Sequence, residues 1–141
     1  MPIDEGQYYI QSFDNDQKFV GTGPLPPVHP LPPAPLRTIT DSLKDVFELK
    51  PLGGDNYILT HKIHHIDIGY DQNHNVSLLP LGDSTVVWAI NRGNGEGRFR
   101  IKLTDSDKYW TATDDDSYAP IELHGSNGSS AQEWKFEISR Q

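Results

Sequence analysis

Along this chain an aromatic-apolar stretch is followed, about ten residues later, by a second one. Residues 46–49 lead to 57–59, and residues 87–90 lead to 99–101. A third copy at 133–136 has no partner after it, but a matching stretch, residues 8–10, stands near the N-terminus. A repeat that closes only when its ends meet constrains the chain to a pseudo-threefold barrel rather than a sandwich.

Alternation assigns these stretches as strands. Tyr8 and Ile10, Tyr57 and Leu59, and Phe99 and Ile101 each share one face, with Arg98 and Arg100 pointing away. Phe47 with Leu49, Trp88 with Ile90 and Trp134 with Phe136 do the same in the preceding strands. The turns between them, residues 53–56 and 93–97, are rich in Gly, Asn and Asp, which suits tight reversals. Further strands are expected at 18–20, 36–39, 65–68, 76–79, 109–111 and 121–123, and a short helical turn near 41–44. On the eleven-residue spacing from Tyr8 to Phe19 and from Phe99 to Trp110, those two aromatics take equivalent places. The expectation is an all-β chain: a β-trefoil of twelve short strands with pseudo-threefold symmetry, six closing a barrel and three hairpins capping it. Its 141 residues are read as one domain, 1–141. Trp88 and Trp134 are then core residues. Trp110, beside Tyr109 in a hairpin, is either core or a surface platform for a sugar ring.

Composition narrows the function. The formal charge is −8, from 20 acidic and 12 basic residues, and the basic residues are scattered, which disfavours nucleic acid or an anionic membrane as partner. Cysteine is absent, so neither a disulfide nor a thiolate nucleophile is available. Residues 1–20 lack the apolar core of a signal peptide, and a cytoplasmic location is expected. On that reading the sequons at Asn75 and Asn127 are chance matches. The residue patterns of serine hydrolases, zinc proteases and phosphate loops do not occur. His64 and His65 are neighbours on strands or their hairpin, where alternate residues face opposite sides. The expectation is therefore no enzyme, no metal and no cofactor, and a monomer.

One segment breaks the repeat. Residues 24–35 hold seven prolines in twelve positions, with Leu25, His29 and Leu31 among them, and Arg37 follows at the start of a strand. Proline fixes φ and lowers the entropy lost when a loop is held extended, so a protruding proline-rich loop suits a protein groove. Lys62, in the tight turn between the fifth and sixth expected strands, is the best basic candidate for contact.

The chain resembles the fungal β-trefoil protease inhibitors: the mushroom serine-protease inhibitors and the related mycocypins. The resemblance spans the whole length. It is carried by Asp4-Glu5-Gly6-Gln7-Tyr8-Tyr9-Ile10, by Asp16-Gln17-Lys18-Phe19-Val20-Gly21 and by Gln132-Glu133-Trp134-Lys135-Phe136. It implies a protease inhibitor that blocks an active-site cleft with surface loops, of serine or cysteine class. Segment 22–35 corresponds by position to the reactive loop of the serine-protease inhibitors, and the turn holding Lys62 to a loop that some mycocypins use. The protease-contact candidates are Leu25, His29, Leu31, Arg37 and Lys62. A ricin-B-like lectin is the alternative. Gln132-Glu133-Trp134 matches its Gln-x-Trp motif once, and a glycan would then sit on Asp107, Tyr109, Trp110 and Asp114.

Overall fold

A computed structural model describes residues 3–13, 18–23, 34–78, 86–93, 95–113 and 119–139. Among them run thirteen short strands: β1 (Gly6–Ser12), β2 (Lys18–Gly21), β3 (Ala34–Pro35), β4 (Arg37–Thr40), β5 (Phe47–Gly53), β6 (Asn56–His61) and β7 (Ile66–Tyr70), followed by β8 (Val76–Leu78), β9 (Trp88–Arg92), β10 (Phe99–Leu103), β11 (Tyr109–Ala112), β12 (Ala119–His124) and β13 (Trp134–Ile138). Single 3-10 turns lie at Asp41–Leu43, where a helical turn is expected, and at Ser130–Gln132.

Six strands close on themselves in the order β1, β5, β6, β9, β10, β13 and back to β1, every pair antiparallel. The N- and C-terminal strands meet over five residue pairs, from Tyr8↔Ile138 to Ser12↔Trp134. The register shows the threefold relation directly. Tyr8↔Phe47, Tyr57↔Trp88 and Phe99↔Trp134 are equivalent pairs, as are Phe47↔His61, Trp88↔Leu103 and Trp134↔Ser12. Closure leaves the barrel strands no free edge for another chain to pair with.

Three hairpins, β2–β4, β7–β8 and β11–β12, cap one end. They join the barrel through Gln11↔Phe19, Thr60↔Asp67 and Lys102↔Tyr109. The barrel residues in these pairs each lie three positions after an equivalent aromatic (Tyr8, Tyr57 or Phe99), so Phe19, Asp67 and Tyr109 share one place. Val20, Ile68 and Trp110 share the next, and all three are fully buried. Trp110 is thus the counterpart of Val20, and the expected match with Phe19 is off by one. The strand expected at 36–39 is β4, paired with β2, and the two-residue β3 before it, paired with β8, adds a thirteenth strand to the twelve expected. The strand expected from His65 begins at Ile66, because His65 turns the chain with φ 55°.

The core is built on these equivalences. Trp88, Trp110 and Trp134 are fully buried and meet edge to face, at 5.5 Å between the first pair of rings and 6.1 Å between the second. The Trp88 indole N–H donates to Ile68 O at 3.0 Å, and that of Trp134 donates to Trp110 O at 3.1 Å. Phe47, the third equivalent, has no side-chain N–H, and there the backbone N–H of Asp45 donates to Val20 O instead.

Candidate functional site

The described residues on either side of the proline-rich segment end at Gly23 and resume at Ala34. Its exit is held by Thr22, whose backbone N–H donates to Asp45 Oδ2 at 3.0 Å and whose hydroxyl donates to Gly23 O at 2.9 Å. Gly23 has φ 71°, a left-handed conformation that glycine adopts without a Cβ clash. On the return side Ala34 and Pro35 pair with Leu78 and Ser77, and the Leu36 N–H donates to Val76 O at 2.7 Å. Both stems are therefore fixed by hydrogen bonds, the exit through side chains and the return through backbone. Leu25, His29 and Leu31 lie outside the described residues. Arg37 is half-buried at the head of β4, paired with Gly21 on one side and Pro120 on the other.

The second candidate loop is residues 62–65, between β6 and β7. The Lys62 N–H donates to Val46 O at 3.0 Å, and the His65 N–H donates to His61 O at 2.8 Å. The His64 N–H points to His61 Nδ1 at 3.4 Å, and the two imidazoles stack with centroids 5.0 Å apart. Since Nδ1 accepts, the tautomer assigned to neutral His61 carries its proton on Nε2 and donates it to Asp45 Oδ2, 2.9 Å away. One carboxylate oxygen therefore receives a donor from Thr22, at the stem of segment 22–35, and one from His61, the last residue of β6 before turn 62–65. Lys62 itself is half-buried. Ile63 is 70% exposed, and His64 and His65 beside it are exposed as well. Sequence reasoning placed the turn here but singled out its basic residue, Lys62, and not Ile63.

Pseudo-symmetry sharpens the contrast. By the pairing register, Thr22, Asp45 and His61 correspond to Tyr70, Val86 and Leu103 at the next junction, and to Ala112, Gln132 and Ser12 at the last. At the second junction these residues line an open cleft of about 630 Å³, joined by Leu52 and Asp105. At the third, Gln132 is fully buried; its amide donates to Thr111 Oγ1 at 3.1 Å and to Gly125 O at 2.8 Å, and its carbonyl accepts the Asn127 N–H at 3.0 Å. The glutamine of the Gln-x-Trp pattern is thereby engaged in holding the 125–127 loop. Only the first of these junctions carries an ionisable pair.

Trp110 has no exposed surface, so the expected stacking platform is corrected: its place in the threefold core points the ring inward between Trp88 and Trp134. Tyr109 is half-buried on β11 and pairs with His124. Asp107 is exposed and accepts the Ser126 N–H at 3.4 Å, and Asp114 lies outside the described residues.

No family model and no curated protein sequence matches the chain. Among solved structures, a proteinase inhibitor from Coprinopsis cinerea superposes with a TM-score of 0.81 at 18% identity, over 97% of this chain and 99% of its own. A designed threefold-symmetric protein, ThreeFoil, gives 0.77 at 15%, over 95% and 99%. The fold is a β-trefoil. The trefoil is also similar to the Macrolepiota procera ricin B-like lectin solved with lactose, with a TM-score of 0.77 at 12% identity over 97% of this chain and 99% of that one. At these identities the likeness is one of fold, and the fold carries unrelated functions.

Proposed function

We propose that this β-trefoil is a protease inhibitor that presents segment 22–35 and turn 62–65 together to a protease cleft. The observation that carries the reading is the shared anchorage of the two loops on Asp45. An inhibitory loop binds tightly when its ordering cost is met before binding. Here prolines restrict the segment itself, hydrogen bonds fix both of its stems, and the neighbouring turn is locked by three backbone donors. The fold similarity to a proteinase inhibitor and the resemblance of the chain ends support the same reading.

The chemistry of the face favours an apolar pocket over a basic one. Segment 22–35 contains neither Lys nor Arg, Lys62 is half-buried, and the most prominent apolar side chain of the turn is Ile63, beside exposed His64 and His65. Leu25 and Leu31 each precede proline, which opposes productive cleavage after them and suits a segment that occupies a cleft without being consumed. The protein acts by occlusion, with no bond-making chemistry, cofactor or second copy.

The test is titration of the purified protein against trypsin, chymotrypsin, subtilisin, papain and legumain-type proteases with small substrates. Stoichiometric inhibition of one class is expected. Folded protein that inhibits none of them but binds a glycan array would replace this reading with a lectin.

A further inference from the structure

We propose that Asp45 and His61 are positioning residues that join the stem of segment 22–35 to turn 62–65, so that the two loops meet a partner as one element. This rests on the reading of those loops as the contact face. The connection is a continuous run of hydrogen bonds. The Thr22 N–H donates to Asp45 Oδ2, the same oxygen accepts His61 Nε2–H, and His61 Nδ1 accepts the His64 N–H. Its centre is protected, since the His61 side chain is 2% exposed and that of Asp45 is 18% exposed. The Phe47 ring meets the imidazole edge to face at 5.6 Å and holds it in line.

The trefoil does not need this pair. At the two equivalent junctions the same three places are filled by Tyr70, Val86 and Leu103, and by Ala112, Gln132 and Ser12, and the barrel closes with the same register at all three. A carboxylate and an imidazole withdrawn from water cost more than apolar or amide side chains unless they are mutually paired. They occur at the one junction that stands between Thr22, at the stem of segment 22–35, and turn 62–65. Each end of the run terminates on loop backbone, at Thr22 and at His64, so the pair fixes main-chain positions in two segments separated by about forty residues of chain. Coupling of this kind requires that a change at one end be felt at the other.

The experiment is amide hydrogen exchange by NMR on the whole chain. His61→Phe keeps a ring against Phe47 and deletes both nitrogens. Exchange at Thr22 is expected to accelerate about tenfold or more, although His61 does not touch Thr22, while Asn127, held by Gln132 at the third junction, stays unchanged. Asp45→Val, which puts here the residue type of Val86 at the second junction, is the second variant and the safeguard if His61→Phe does not fold. It removes the one oxygen that accepts from both Thr22 and His61, so the imidazole loses the bond that holds its Nδ1 toward the His64 N–H. Faster exchange at His64 is therefore expected, two hydrogen bonds from the change. Unaltered Thr22 exchange in folded His61→Phe, or unaltered His64 exchange in folded Asp45→Val, would overturn the coupling. Where the protease panel yields a target, Asp45→Val should weaken inhibition about tenfold or more. A target whose inhibition is untouched by Asp45→Val refutes the positioning role and leaves the inhibitor reading standing. Wild-type protein that inhibits nothing refutes the inhibitor reading, while the exchange data still decide the coupling.

Discussion

Three buried tryptophans meet in the core, and replacing each with phenylalanine separates packing from hydrogen bonding. Each change removes the same part of a ring from a fully buried site, so the transfer and cavity terms are similar across the set. The difference lies in the indole N–H. Trp134 and Trp88 each donate to a buried carbonyl, a bond whose net worth is about 1 kcal/mol. The Trp110 N–H has no partner among the described residues, and a buried unpaired donor costs about 1–3 kcal/mol. Removing it offsets the lost packing. Trp110→Phe is therefore expected to be less destabilising than Trp134→Phe by about 2–4 kcal/mol, the lost bond and the relieved donor acting in the same direction. The hydrogen bond from Trp134 ends on the Trp110 backbone and survives the Trp110 change. Urea unfolding of the three variants, with the slope checked for constancy, measures this as a shift in midpoint. Equal losses for Trp110→Phe and Trp134→Phe would refute the reasoning.

Ile63→Asp places a charge on a 70% exposed turn position and should alter stability by no more than about 0.5 kcal/mol, as surface changes do. The same variant should lose inhibition about tenfold or more, and unchanged titration curves would remove Ile63 from the contact face. Gly21→Ala is expected to destabilise by about 1–3 kcal/mol through overpacking, because a Cβ there falls 2.2 Å from Ile39 Cδ1 and 3.2 Å from the Leu43 carbonyl; a neutral result in thermal unfolding would contradict it. Burial, reinforced by the Asp4 carboxylate, raises the Tyr8 hydroxyl above the ordinary tyrosine value, and burial first, with Asp55 and Asp4, raises that of Tyr57. Unfolded tyrosines ionise near pH 10, so this contribution to stability is complete below about pH 10 and is lost as pH rises through the higher folded values. Unfolding midpoints at stepped pH above 9, with a spectroscopic tyrosine titration, should show that fall; late-titrating tyrosines without loss of stability would contradict the assignment.

The barrel was legible because its inward residues are large and alternate over short runs, and because the pairing of the ends is visible as a missing strand after Phe136. The cap was legible less well, for a definite reason. Seven residues separate the partners in Thr60↔Asp67 and in Lys102↔Tyr109, but eight separate Gln11↔Phe19, so the first repeat carries one extra residue in that turn. Counting from the first aromatic therefore aligned Trp110 with Phe19, while its place beside Tyr109 in a hairpin left open a surface role for a residue that the threefold core buries. The Gln132 side chain shows a related limit: a motif shared with lectins can be spent on holding a loop. Of the candidate site, the broken repeat at the prolines stood out in composition. The Asp45–His61 contact did not, because the two residues come together only through the Phe47↔His61 register of β5 and β6.

The central claim is that two adjoining loops form the inhibitory face. Its most direct test is to replace residues 24–33 with a short glycine-serine link and compare the inhibition constant with that of the intact chain against whichever protease the panel identifies. The stems at Thr22 and Ala34 remain, so the trefoil should unfold at nearly the same denaturant concentration. Inhibition should fall about a hundredfold or more, equivalent to roughly 2.7 kcal/mol of binding energy. Retention of full inhibition by the folded, shortened chain would contradict the account.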